Sequence, residues 1–109
     1  MRTRGITEAV RQEVVQIVEQ FNRDVLRSEA VGYRPRFRGT YLYLDRADDG
    51  RPSPICRLRY TGEMDHWEFA IYKYSDERYD ADDWFFPGSQ HLDGTVAGAM
   101  RAGLEAYPP

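Results

Sequence analysis

The stretch TYLYLDRADDGRPSPICRLRYTGEMDHWEFAIYKY (Thr40–Tyr74) decides how this chain folds. Its apolar residues recur every second position, the period of a half-buried strand. Three such runs are legible: Thr40–Arg46, Ile55–Thr61 and His66–Tyr74. Between them lie ADDGRPSP, built from turn-forming Asp, Gly and Pro, and the tight connection GEMD. Connections this short join neighbouring antiparallel strands, so the three runs predict a meander. Alternation then assigns faces. Leu42, Leu44, Cys56, Leu58, Tyr60, Trp67, Phe69 and Ile71 form the inward set. Tyr41, Tyr43, Arg57, Arg59, Glu68, Ala70 and Tyr72 form the outward set.

Working upstream, this phase meets a conflict. Arg34, Arg36 and Arg38 share the parity of Leu42, yet three unpaired arginines do not enter an apolar core. Either the strand begins at Gly39, or Gly39 is a bulge that flips the alternation. The bulge sends the arginines to the outer face beside Tyr41 and Tyr43.

On either side of the strands the period changes to that of a helix. Ile6, Val10, Val14, Ile17, Val18, Phe21 and Val25 follow each other in fours and threes. Thr7 is the expected N-cap, Glu8 sits in the positive first turn, and Gly32 is the expected stop. Downstream, SDERYDADD reads as a polar loop and Trp84–Phe86 as a short fourth strand or a buried plug. Asp93 is the expected cap of a second helix over roughly residues 94–106. Val96, Met100, Gly103 and Tyr107 mark the inward stripe of that helix. Gly98 and Ala102 lie away from it, on a small-residue side open to another helix or a second copy of the chain. The expectation is a single α+β domain over 1–109. It has two layers: an N-terminal helix, a three- or four-stranded antiparallel meander and a C-terminal helix on one sheet face.

Composition narrows the functional classes. At 109 residues, 41% hydrophobic and 14% aromatic, the chain can bury a real core. No apolar run approaches the ~20 residues of a membrane span. No apolar segment of signal-peptide type follows the basic N-terminus. With one cysteine, Cys56, neither an internal disulfide nor a cysteine zinc cluster arises. A bacterial-type cytoplasmic setting, without membrane association, is the expectation. Net charge is −3 and uneven. Residues 1–46 hold nine arginines against six acids, whereas the remainder holds six bases against twelve acids.

The helix–three strands–helix order resembles that of double-stranded RNA-binding domains. That resemblance implies a lysine cluster at the start of the last helix and a histidine in a strand loop. The corresponding stretches here are DGTVAGAMRAG and ADDGRPSP, with Asp93 and paired acids in their place. The family is therefore not assigned, and nucleic acid is not the expected partner of this acidic chain.

No catalytic set emerges. Asp65 and His66 point to opposite sides if both lie in a strand, so they do not make joint metal ligands. His91 reads as a loop residue. The acids from Asp76 to Asp83 do not follow the calcium-loop pattern, and Cys56 is expected to be buried and inert. No metal or cofactor is expected. The candidate surfaces are an outer face of Arg38, Tyr41, Tyr43, Arg57, Arg59, Glu68 and Tyr72, and a helix contact at Gly98 and Ala102. Tyrosine and arginine are the enriched anchors of protein interfaces. The leading expectation is a non-enzymatic protein-interaction module that self-associates as a homodimer. The alternative is single-stranded nucleic acid or a small anionic ligand on the same face.

Overall fold

The computed structural model describes residues 5–83 and 85–109. One antiparallel sheet runs through the molecule in the order β1 (Val31–Arg38), β2 (Tyr41–Asp48), β3 (Arg51–Arg59), β4 (Glu68–Lys73) and β5 (Arg78–Asp80). Helix α1 (Glu8–Phe21) precedes it and α2 (Val96–Ala106) follows. The α+β meander between two helices is as expected. The sheet is wider than the three or four strands the sequence showed, because β1 and β5 lie in stretches that alternation alone did not resolve.

The arginine conflict is resolved by a hairpin, neither by a strand starting at Gly39 nor by a bulge there. Gly39 and Thr40 form a two-residue turn, and Gly39 has φ 61°, a conformation glycine adopts without Cβ strain. The turn pairs Arg38 with Tyr41, Phe37 with Leu42, and Arg36 with Tyr43. Residues of opposite parity thereby share a face. Arg34, Arg36 and Arg38 point away from the helices, while Tyr33, Pro35 and Phe37 point toward them.

ADDGRPSP holds the expected turn, confined to Asp49 and Gly50, with strand on both sides of it. Asp49 and Gly50 take φ 54° and 84°, the pair of positive angles that a two-residue Asp-Gly turn requires. β3 then runs back along β2 with a register shift between Leu44 and Asp45: Leu44 pairs with Cys56 and Asp45 with Pro54, so Ile55 is the extra residue. The bulge lets both Ile55 and Cys56 be buried. Pro52 and Pro54 lie where β3 extends past β4, whose pairing covers only Cys56–Arg59. Proline has no N–H to give a second neighbour, and there it needs none.

Thr7 caps α1 as expected, accepting the Val10 N–H at 3.3 Å. Val14, Val18 and Phe21 are its buried stripe. The helix does not continue regularly to Leu26. Asn22–Leu26 forms a wider π turn, which rotates Val25 out of the expected stripe and leaves it 38% exposed. Asn22 holds this turn to the sheet. Its amide donates to the Tyr33 carbonyl at 3.0 Å and accepts the Tyr33 N–H at 2.8 Å.

The cap of α2 is Thr95, not Asp93. Thr95 Oγ1 accepts the Gly98 N–H at 3.0 Å, and Asp93 in turn accepts the Thr95 N–H and hydroxyl at 3.0 and 2.6 Å. Val96, Ala99, Met100 and Gly103 pack against the sheet. Gly103 is needed there, since a Cβ would lie 2.5 Å from Tyr33 Oη and 2.6 Å from Ile55. Tyr33 Oη donates to the Met100 carbonyl at 2.7 Å, and burial pushes its pKa upward. Arg46, 6% exposed, enters the core from the end of β2. Its guanidinium donates to the carbonyls of Gly103 and Tyr107, where the C-terminal dipole of α2 favours a cation. The expected fourth strand at 84–86 is not found at Phe85–Phe86, and Trp84 lies outside the described residues. Phe85 is 95% exposed, whereas Phe86 stacks on Phe69 at 5.6 Å.

Candidate functional site

The outer sheet face is assembled by the register. One row across the sheet runs Arg38, Tyr41, Arg59, Glu68; the next runs Arg36, Tyr43, Arg57, Ala70. Arg34 stands opposite Asp45, and Tyr72 opposite Tyr79. All seven residues singled out from the sequence therefore share this face. Arg34, Arg36, Asp45 and Tyr79 complete it.

The side chains form a connected lattice. The Arg57 guanidinium lies 4.5 Å from the Tyr41 ring centre and 5.3 Å from that of Tyr79. Arg36 lies 4.5 Å over Tyr43 while its two nitrogens reach Asp45 at 3.0 and 3.3 Å. Tyr79 meets Tyr43 and Tyr72 edge-on, at 5.4 and 5.0 Å. Arg59 donates to Glu68 at 2.8 Å. Ala70, the smallest member of its row, is only 3% exposed despite pointing outward. Burial is the main reason the Tyr79 hydroxyl is pushed upward in pKa, with Asp45 adding to it. Arg36 is held charged chiefly by its hydrogen bond to Asp45.

The face carries five arginines against two carboxylates, in a chain of net charge −3. Both carboxylates are committed, Asp45 to Arg36 and Glu68 to Arg59. Among the described residues, Arg34, Arg38 and Arg57 make no ion pair. A shallow hollow of about 150 Å³, bounded by Tyr41, Arg57, Arg59, Glu68, Ala70 and Ala81, lies at one end.

Gly98 and Ala102 are not an open helix side. Both are buried, and what covers them is the chain's own segment preceding α2. A Cβ on Gly98 would lie 2.6 Å from the His91 carbonyl oxygen and closer still to Asp93 Oδ1. Gly88 sits against Ala102 and Glu105. The close approach that the small residues permit is thus made within the chain.

Glu63, Asp65 and His66 do converge, contrary to the strand geometry expected for Asp65 and His66. They lie in the turn before β4, and His66 Nδ1 is 2.7 Å from Glu63 and 2.8 Å from Asp65. All three are exposed. His91 is held by Glu105 at 3.0 Å, and the Glu105 carboxyl is kept below its ordinary pKa by its hydrogen bonds from Gln90 and then His91. Cys56 is fully buried, and desolvation pushes its thiol pKa upward, which suppresses the reactive thiolate. A cavity of about 450 Å³ opens between β4 and α2, walled by Leu58, Trp67, Phe69, Leu92 and Ala99. The acids at its rim, Glu68 and Asp83, are ion-paired with Arg59 and Lys73.

Comparison with known proteins found no matching family model, no matching curated protein and no matching solved structure. No helix among the described residues is long and apolar enough to cross a membrane.

Proposed function

We propose that this chain is a non-enzymatic protein-interaction module whose docking surface is the outer face of the sheet. The observation that supports this most is the occupancy of its tyrosine rings. Tyr41, Tyr43, Tyr72 and Tyr79 are each packed against a guanidinium or another tyrosine. Such a lattice is fixed before any partner arrives, so little side-chain entropy remains to be lost on binding. Tyrosine and arginine are the side chains that anchor protein interfaces. The excess of arginine selects a partner surface rich in carboxylates.

The same arginines support a second reading, single-stranded nucleic acid or a small anionic ligand. Base stacking needs open ring faces. Guanidiniums already lie over Tyr41 and Tyr43, which favours the protein reading.

The test is to follow backbone amide resonances while raising the protein's own concentration, then on adding deca-glutamate, then on adding a twelve-residue thymidine oligonucleotide. Shifts clustered on the outer strand residues with either of the first two support the module. Stronger, steeply salt-dependent binding of the oligonucleotide transfers the face to the second reading. Shifts located elsewhere, or none, overturn both.

A further inference from the structure

Resting on the reading of the outer face as a docking surface, we infer that Arg57 is its anchor, and that the hollow beside it receives the side-chain carboxylate of a glutamate or aspartate from an acidic protein partner. The sheet's edges direct a partner to side chains rather than to backbone. On β1, the N–H and carbonyl of Tyr33 are taken by Asn22, so they face the open edge. Two residues on, Pro35 faces the same way and has no N–H to give. β5, at the opposite edge, is three residues long. Prolines and short edge strands resist the addition of another strand.

Arg57 differs from the other four arginines of the face. Arg34, Arg36, Arg38 and Arg59 are exposed, so water solvates their charge, and Arg36 and Arg59 also hold Asp45 and Glu68. Arg57 is half-buried. Its guanidinium lies 4.5 and 5.3 Å from the Tyr41 and Tyr79 ring centres, and among the described residues it makes neither an ion pair nor a side-chain hydrogen bond. Partly shielded from water and uncompensated, it is the charge on this face with most to gain from an anion. The rings also hold the guanidinium fork in place, so less freedom is lost when it closes on a carboxylate. β3 is the central strand of the five, and interface anchors concentrate at the centre of a docking surface.

The hollow selects the anion. Its volume of about 150 Å³ is well below the roughly 300–1,000 Å³ of small-molecule sites and suits the end of one side chain. Ala70, which lines it, leaves space that a larger residue would fill. Glu68 lines the same hollow, with its charge balanced by Arg59. Arg57 therefore offers one uncompensated positive charge, which a carboxylate neutralises. A phosphate group, at about −1.5 to −2, would leave excess negative charge beside Glu68.

Outer-face amide shifts on adding deca-glutamate give the affinity of the unaltered chain and of Arg57→Gln, Arg57→Lys, Ala70→Leu, Arg34→Gln and Arg38→Gln. Urea melts confirm that each variant folds, and Arg57→Gln decides alone if Ala70→Leu does not. Arg57→Gln and Ala70→Leu should each weaken binding by ~10-fold or more, the first by removing the charge and the second by filling the space. Arg57→Lys keeps the charge but not the fork, and should recover only part of the loss. Arg34→Gln and Arg38→Gln, on exposed charges, should cost no more than ~3-fold each. Inorganic phosphate at matched ionic strength should not displace the peptide; displacement would overturn the carboxylate as occupant. Equal losses at positions 34, 38 and 57 would overturn Arg57 as anchor and leave the docking face standing. Outer-face shifts that appear only on raising the protein's own concentration would overturn the acidic partner alone. No outer-face shift under either condition overturns the docking surface itself.

Discussion

Gly98→Ala is the substitution whose sign depends most directly on the tertiary structure. At an exposed helix position, replacing glycine by alanine stabilises by about 0.5–1 kcal/mol through helix propensity. Gly98 is the third residue of α2 and is buried. The new methyl would meet the His91 carbonyl oxygen at 2.6 Å and, closer still, Asp93 Oδ1. The carbonyl is backbone and cannot rotate away. Asp93 is held by two hydrogen bonds to Thr95, so its movement loosens the helix cap as well. Overpacking of this kind costs about 1–3 kcal/mol. Set against the propensity gain, a net loss of about 1–2 kcal/mol is expected. That corresponds to a fall in Tm of roughly 5–15 °C for a domain of this size. Urea melts should show a lower midpoint with an unchanged slope. In the Asp93→Ala background the same substitution should be less damaging, since one of the two clashing groups is gone. A Gly98→Ala chain more stable than the parent would refute the reasoning and return Gly98 to the surface.

Three further outcomes follow from the same geometry. Asn22→Ala removes both hydrogen bonds to the Tyr33 backbone and should destabilise by about 1–3 kcal/mol; hydrogen exchange should show faster opening around Tyr33. Arg46→Met keeps much of the side-chain bulk but leaves the Tyr107 carbonyl without this donor and the Gly103 carbonyl with the Tyr107 N–H alone. Recovered desolvation offsets part of that loss, so about 1–2 kcal/mol is expected, with fraying concentrated in the last turn of α2. The Asp93 carboxyl is held below its ordinary pKa, first by the Thr95 hydroxyl and then by the Thr95 N–H. Its contribution is therefore present above the unfolded carboxylate value of about 3.9 and is lost as pH falls through the lower folded value. Asp93→Asn, which keeps the acceptor oxygen, should flatten the stability profile below about pH 4; an unchanged acid limb in titrated melts would count against it.

Most of the candidate face was legible because parity survives wherever a strand stays regular. Leu42 and Leu44, then Cys56 and Leu58, point inward for local reasons, and that alone sends Tyr41, Tyr43, Arg57 and Arg59 to the other side. The period of α1 and its Thr7 cap were equally local. Tyr79 was not legible. It stands among acids in SDERYDADD, and a three-residue edge strand is too short to show alternation. Only the sheet brings its ring onto Tyr43, Tyr72 and Arg57.

The sequence by itself determined the helical and strand periods, the inward and outward residues of the regular stretches 41–44, 56–59 and 68–72, and the excess of arginine in the first 46 residues. Tertiary structure decided what joins them. A bulge and a two-residue hairpin both flip parity at Gly39, and only the pairing of Arg38 with Tyr41 distinguishes them. A glycine on the far side of a helical stripe looks exposed until the fold returns another segment to it. Gly98 is buried because Gly94, at φ 86°, and the Asp93–Thr95 cap turn residues 88–93 back over α2. Periodicity reports which side of an element is apolar, since that depends on neighbours a few positions away. What covers the other side depends on contacts that no local period encodes.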